Sequence, residues 1–162
     1  MRRRFANTLL ALSLLAFVLI LAVFALTTHA PATVPVDMVA FRVDGDAVIA
    51  PLGGHRGDAN RGERVVRDRE RGNCLICHSV PVPAERFQGD LGPPLAGVGN
   101  RLSVGQLRLR LIDQTRINPD TIMPPYYRTD RLIRVAPRYQ GNPALTAAEI
   151  EDVIAWLATL KE

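Results

Sequence analysis

The clearest periodic pattern lies near the end of the chain. Thr146 to Glu149 has the form of a capping box, in which a threonine and a glutamate three residues later satisfy each other's backbone amides. Apolar residues then recur at helical spacing, at positions 150, 153, 154, 157 and 160. The pattern predicts an amphipathic helix over Glu149–Lys161.

A second helix is predicted just before position 72. Asn60, with Glu63 three residues later, has the form of a helix N-terminus, and valines at 65 and 66 supply an apolar stripe. We expect this helix to run through Arg71 and to end at Gly72.

Two shorter elements complete the prediction. Val104–Asp113 carries Leu107 and Leu111 on one helical face and arginines on the other. Phe41–Ile49 alternates apolar and polar residues, and its Asp44-Gly45 pair is typical of a hairpin turn. We therefore expect a mainly α domain preceded by a short irregular or hairpin extension.

The first 32 residues are predicted to be an export segment. Arg2–Arg4 precede an apolar run over 8–26, and Ala30-Pro31-Ala32 matches a small-residue cleavage site. The run is longer than a usual signal core of about 7–15 residues and nearly reaches the roughly 20 that span a bilayer. A cleaved signal peptide and an uncleaved membrane anchor both remain open, and both place the rest of the chain outside the cytoplasm.

Length and charge narrow the class of protein. The 162 residues, 48% of them apolar, allow one compact domain and an extra segment, and 12 Gly with 12 Pro predict many loops. The domains are expected at 1–32 (export), 33–57 (extension) and 58–162. Without Arg2–Arg4 the 20 basic residues become 17, against 16 acidic ones, so the domain lacks the basic stripe of a nucleic-acid binder.

The two cysteines belong to one motif, Cys74-Leu75-Ile76-Cys77-His78. The pattern C-x-x-C-H is the attachment sequence of c-type haem, in which each thiol adds to a vinyl group and the histidine binds the iron. A disulfide or half of a zinc site are the alternatives. Zinc would need a second pair of ligands, for which only His29 and His55 are left.

Met123 is the candidate for the sixth iron ligand. Of the three methionines, Met1 and Met38 precede the motif, whereas Met123 follows it between Ile122 and two prolines that restrict its loop. His55 is a competing ligand in a glycine-rich loop, and Met123 could instead fill a gap in the core.

The chain resembles class I cytochrome c domains. The resemblance lies in a helix before C-x-x-C-H, the segment Gly92-Pro93-Pro94-Leu95-Ala96-Gly97, a methionine loop and a C-terminal helix. It implies that the Pro93 carbonyl accepts a hydrogen bond from Nδ1 of His78. It also implies that Gly62 lets the first helix approach the last one near Trp156.

A narrower resemblance is to the SoxX family, the mono-haem subunits of the sulfur-oxidation cytochrome SoxAX. It covers most of residues 58–161. The segments that carry it are Gly72–His78, Asn118–Thr129, Val135–Gly141 and Ala155–Lys161.

The SoxX resemblance implies a periplasmic role in thiosulfate oxidation. SoxAX acts as an L-cysteine S-thiosulfotransferase, which joins thiosulfate oxidatively to a cysteine of the carrier protein SoxYZ. In that family SoxA holds the catalytic cysteine, while SoxX accepts electrons through one haem c and passes them to a soluble cytochrome. The expected partner is therefore a SoxA-like subunit in a heterodimer, with SoxYZ and a downstream cytochrome bound transiently. No catalytic residue is expected in this chain, since Cys74 and Cys77 are its only thiols.

Two other functions stay open. A generic exported class I electron shuttle would share the haem ligands but have no stable partner, and a haem enzyme or gas sensor would leave the iron without Met123. The segment Tyr126–Asn142 interleaves arginines with Tyr126, Tyr127 and Tyr139, a composition typical of interfaces, and is a candidate docking face. The alternative is a solvated, arginine-rich loop that covers the haem.

Overall fold

The structure is a computed structural model that describes residues 38–161. Within this range the chain forms four α-helices and no β-sheet: α1 is Ala59–Arg67, α2 is Val98–Arg101, α3 is Val104–Asp113 and α4 is Ala147–Leu157. The mainly α prediction is confirmed. None of the helices in this range is long and apolar enough to cross a membrane. The predicted export segment, 1–32, lies outside the described residues.

Helix α1 begins and ends earlier than predicted. Its N-cap is Asp58, whose carboxylate accepts from the Arg61 amide at 2.8 Å, and Asn60 lies inside the helix. It ends at Arg67 because the carboxylate of Asp68 accepts from the Glu70 amide at 2.8 Å. This local turn competes with a further helical turn, so the prediction that the helix continues to Arg71 is wrong.

Helices α3 and α4 both start with a complete capping box. Ser103 and Gln106 cap α3, and Thr146 and Glu149 cap α4 as predicted. Helix α4 ends at Leu157 rather than at Lys161. The Thr159 hydroxyl donates to the Trp156 carbonyl at 2.6 Å, and the Leu160 carbonyl accepts from the Gly99 amide of α2 at 2.8 Å.

Glycine permits the close packing of α1 on α4. A Cβ atom at Gly62 would lie 1.9 Å from the carbonyl oxygen of Asp152, so no side chain fits there. The predicted close approach is confirmed, one helical turn before Trp156. Arg61 ties the same two helices by donating two hydrogen bonds, of 2.7 and 2.8 Å, to Asp152.

One hydrophobic core joins the helices to the extension. Val48 and Leu52 of the extension are 1% exposed and pack in the same core as Ile150, Val153 and Trp156. The predicted hairpin is reduced to a tight turn, in which Asp44 and Ala47 exchange backbone hydrogen bonds of 2.8 and 3.1 Å.

One arginine of α3 is buried, a feature that the sequence analysis did not predict. Arg108 is 3% exposed and forms a bidentate ion pair with Glu151 of α4. The sequence did not indicate this burial because the pairing carboxylate lies 43 residues away.

Candidate functional site

The Cys74–His78 motif forms a closed turn at the wall of a cavity. The backbone amides of Cys77 and His78 both donate to the carbonyl of Cys74, at 3.1 and 2.9 Å. Asn73 precedes the turn with a φ of 49°, a left-handed conformation that asparagine adopts more readily than most residues. The turn brings both thiols and the imidazole to the same cavity.

The cavity measures about 830 Å³, within the size range of small-molecule and cofactor sites. Cys74, Cys77, His78 and Met123 all line it. The sequence therefore predicted four residues that the fold brings to one place. The rest of the lining is mainly apolar and includes Val66, Leu95, Val98, Leu102, Leu107, Leu111, Val153 and Leu157.

The imidazole of His78 is held by the segment that follows the motif. Its Nδ1 lies 2.7 Å from the carbonyl oxygen of Pro93, which can only accept, so Nδ1 carries the proton and Nε2 is left for a metal. A Cβ at Gly92 would lie 2.4 Å from Cε1 of the ring, so only glycine lets the backbone pass there. The Gly92 amide also donates to the carbonyl of Cys77 at 2.8 Å.

Met123 reaches the cavity from a short loop with its own hydrogen bonds. Its amide donates to the Thr121 hydroxyl at 3.1 Å, and the Thr121 amide donates to the carbonyl of Asn118 at 3.2 Å. The side chain is half-buried and packs against the core. His55, the competing ligand, is exposed and does not line the cavity.

Burial controls the protonation of the groups beside the motif. Burial raises the pKa of the Cys74 thiol to about 11, although the nearby Tyr126 hydroxyl opposes the change. Burial and the neighbouring Cys74 also raise the pKa of the Tyr126 phenol. Both groups are therefore neutral at pH 7.

The lining carries more positive than negative charge. Five arginines face two acidic residues, and Arg138 pairs with one of these, Glu70, at 3.6 Å. Arg101 instead donates to the carbonyls of Ala96 and Pro94, at 2.5 and 2.7 Å, and so braces the segment that holds His78. The arginines are Arg69, Arg71, Arg101, Arg110 and Arg138.

These residues fit a haem c. Two thiols, an oriented histidine and a methionine share a largely apolar cavity, and histidine with methionine is a donor set typical of cytochrome c iron. The excess of arginines suits the two carboxylates of haem. Residues 38–161 hold no cluster of three or more His, Cys, Asp or Glu side chains that could bind another metal ion.

The structure corrects the proposed role of two tyrosines. Tyr126 and Tyr127 are 8% and 1% exposed, so neither can lie on a docking face. Tyr126 lines the cavity, and its hydroxyl donates to the carbonyl of Gly72 at 2.7 Å. The sequence pattern did not predict this contact or the packing of Gly92 against His78. In each case the two residues lie far apart in the sequence.

Comparisons with known proteins give one informative result. No family model and no curated protein matches the chain. Among solved structures, a chain in the crystal structure of SoxXA from P. pantotrophus matches with a TM-score of 0.70 and 35% identity. The match covers 75% of this chain and 95% of that one. With its single Cys74–His78 motif, the chain belongs to the SoxX family of cytochrome subunits.

Proposed function

We propose that this chain is the electron-accepting, mono-haem subunit of a periplasmic L-cysteine S-thiosulfotransferase. Membership of the Sox cytochromes assigns it a role in thiosulfate oxidation. The observation that carries the finer proposal is that Cys74, Cys77, His78 and Met123 line one cavity. These residues can hold a redox group, and none of them is left to act as a nucleophile.

Each cavity residue has a defined task in this proposal. Cys74 and Cys77 would hold one haem c through thioether bonds, and His78 would bind its iron through Nε2, the nitrogen that Pro93 leaves free. Met123 would supply the other protein ligand of the iron. When bound, the haem would supply one-electron redox chemistry, at a reduction potential that a thioether ligand raises.

The chemistry at the carrier cysteine belongs to a partner. Joining thiosulfate to a thiol forms one S–S bond and releases two electrons and a proton. This chain has only two cysteines, and both are used for attachment. We therefore assign the reacting sulfur to a SoxA-like subunit of a heterodimer, with the carrier protein SoxYZ as substrate.

A single haem stores one electron at a time. Two electrons per conjugate therefore oblige this chain to pass them on, to a downstream soluble cytochrome that binds transiently.

The subunit assignment is tested by tagged purification from thiosulfate-grown source cells, with haem staining and mass spectrometry of the co-purifying proteins. We expect a second cytochrome in stoichiometric yield, and reduction of this chain's haem on addition of thiosulfate together with the carrier protein. A haem-loaded monomer that thiosulfate does not reduce would leave the chain a generic exported electron shuttle.

The ligand assignment is tested by Met123→Ala, with Met38→Ala as the matched control. Met38 is 38% exposed and does not line the cavity. Only M123A should open the ferric iron to imidazole or cyanide and change the visible spectrum. If the spectrum and ligand affinity of M123A equal those of the wild type, Met123 is not a ligand and the iron has an open site.

A further inference from the structure

Tyr126 connects the two segments that face the cavity. It lies three residues after Met123, and its hydroxyl donates to the carbonyl of Gly72, two residues before Cys74, at 2.7 Å. The bond is buried and spans 54 positions of the chain. It therefore ties the loop that carries Met123, residues 118–125 (the methionine loop), to residues 72–78, which contain the two cysteines and His78 (the attachment segment).

The Gly72 end of this bond is fixed by packing. The Gly72 amide donates to the carbonyl of Val65 in α1 at 3.2 Å. A Cβ at Gly72 would lie 2.4 Å from the same oxygen and 3.3 Å from the sulfur of Cys74. The carbonyl that accepts from Tyr126 thus belongs to a rigid approach to the attachment motif.

The Tyr126 end is the anchor of the methionine loop. Pro124 and Pro125 have no N–H group, so the first backbone donor after Met123 is the amide of Tyr126. That amide donates to the carbonyl of Leu111 at 3.0 Å, and the Tyr126 carbonyl accepts from Leu145 at 3.0 Å. Movement of the loop away from the cavity would have to pull on this residue.

We propose that Tyr126 is a positioning residue that keeps Met123 on the haem iron by tying its loop to the attachment segment. The inference rests on the proposed ligation by Met123. If the loop swings out, the Tyr126–Gly72 hydrogen bond is strained or lost, and a buried carbonyl without a partner is costly. The hydroxyl therefore lowers the population in which the iron is open.

The neighbouring residue provides a matched control. Tyr127 is 1% exposed, and its hydroxyl also makes one hydrogen bond to the backbone, accepting from the Val39 amide at 2.9 Å. It does not line the cavity. Tyr127→Phe therefore removes the same group from a buried ring while sparing the link between the methionine loop and the attachment segment.

The experiment titrates imidazole into the ferric, haem-loaded full chain as wild type, Y126F, Y127F and M123A. An external ligand can bind only the open population, so its apparent affinity reports that population. We expect about tenfold tighter binding in Y126F, the effect of about 1.4 kcal/mol, and wild-type affinity in Y127F.

The variants separate the two proposals. Tight binding by M123A with wild-type affinity in Y126F would overturn the role of Tyr126 and leave the ligation intact. Equal affinity in M123A and the wild type would refute the ligation itself, and the role of Tyr126 would fall with it. Tighter binding in Y127F to the same extent as in Y126F would also overturn the inference, since general loosening would then explain both.

If Y126F does not bind haem, a second measurement on the wild type tests the inference. The chain has three tyrosines, so ring-labelled tyrosine gives three NMR signals, which Y127F and Y139F assign by elimination. In the wild type, imidazole should shift the signal of Tyr126 and leave that of Tyr127 in place. A Tyr126 signal that does not move would overturn the inference.

Discussion

Arg108 and Glu151 form a buried ion pair, and breaking it should lower the stability of the fold by a measurable amount. Its two hydrogen bonds measure 2.7 and 2.8 Å, and both side chains are 4% exposed. Arg108 also donates to the carbonyls of Val48 and Ile49, at 2.6 and 3.1 Å, while Glu151 accepts from the Leu52 amide at 2.9 Å. One pair thus joins α3, α4 and the extension.

Glu151→Gln keeps the shape of the side chain but removes its charge. The Arg108 guanidinium then remains buried without a counter-charge, and removal of one partner from such a pair costs about 3–5 kcal/mol. For a domain of this size each kcal/mol lowers the melting temperature by about 3–4 °C. We therefore expect E151Q to melt roughly 10–20 °C below the wild type.

The assays are thermal and urea unfolding of the haem-loaded protein at pH 7, both followed by circular dichroism. Glu63→Gln is the control, because its pair with Arg67 is partly exposed, 34% and 37%, and solvent screening leaves it little effect on stability. Arg108→Met combined with Glu151→Leu should be more stable than E151Q, since no uncompensated charge is left. A cost for E151Q below about 1 kcal/mol would show that the guanidinium is hydrated and refute the reasoning.

Two further predictions concern His78 and acid stability. Gly92→Ala should displace the imidazole of His78 and alter the visible spectrum, because the new Cβ would fall 2.4 Å from the ring, and an unchanged spectrum would contradict this. Burial opposes ionisation of Asp113, but the Thr115 hydroxyl and the Arg128 guanidinium hold its pKa below 3.8. A lowered pKa stabilises the fold above the unfolded value and loses that contribution as pH falls through the folded one. Asp113→Asn should therefore cost about 1.5–3 kcal/mol at pH 7, and the gap to the wild type should narrow in unfolding titrations as the pH falls below the usual pKa of an aspartate.

The start of α4 was predictable because its signal is local and complete. The capping box of α4 lies within four residues, Thr146 to Glu149, and the structure confirms it. The ends of α1 and α4 were less predictable, because side-chain hydrogen bonds that compete with the helical ones decide where these helices stop. The carboxylate of Asp68 ends α1, and the Thr159 hydroxyl helps to end α4, each by taking a backbone group that a longer helix would use.

The residues of the candidate site also divide into those that a local pattern predicts and those whose role depends on distant contacts. The Cys74–His78 motif is contiguous and could be recognised at once, and the Pro93 carbonyl could be assigned from the family pattern. Tyr126 was misjudged as a docking residue, because composition does not show whether an aromatic ring faces solvent or a carbonyl 54 positions away. The burial of Arg108 was missed for the same reason.

Stability and the proposed retention of Met123 on the iron are linked through α3, whose faces contact different neighbours. Leu107 and Leu111 line the cavity, whereas Arg108 contacts the extension through the carbonyls of Val48 and Ile49. Successive residues of a helix point about 100° apart, so α3 can contact the cavity with one face and the extension with another. None of the residues 38–57 lines the cavity. The extension nevertheless holds one side of α3, and the backbone of Leu111 on that helix accepts from Tyr126, so the extension supports the methionine loop through α3.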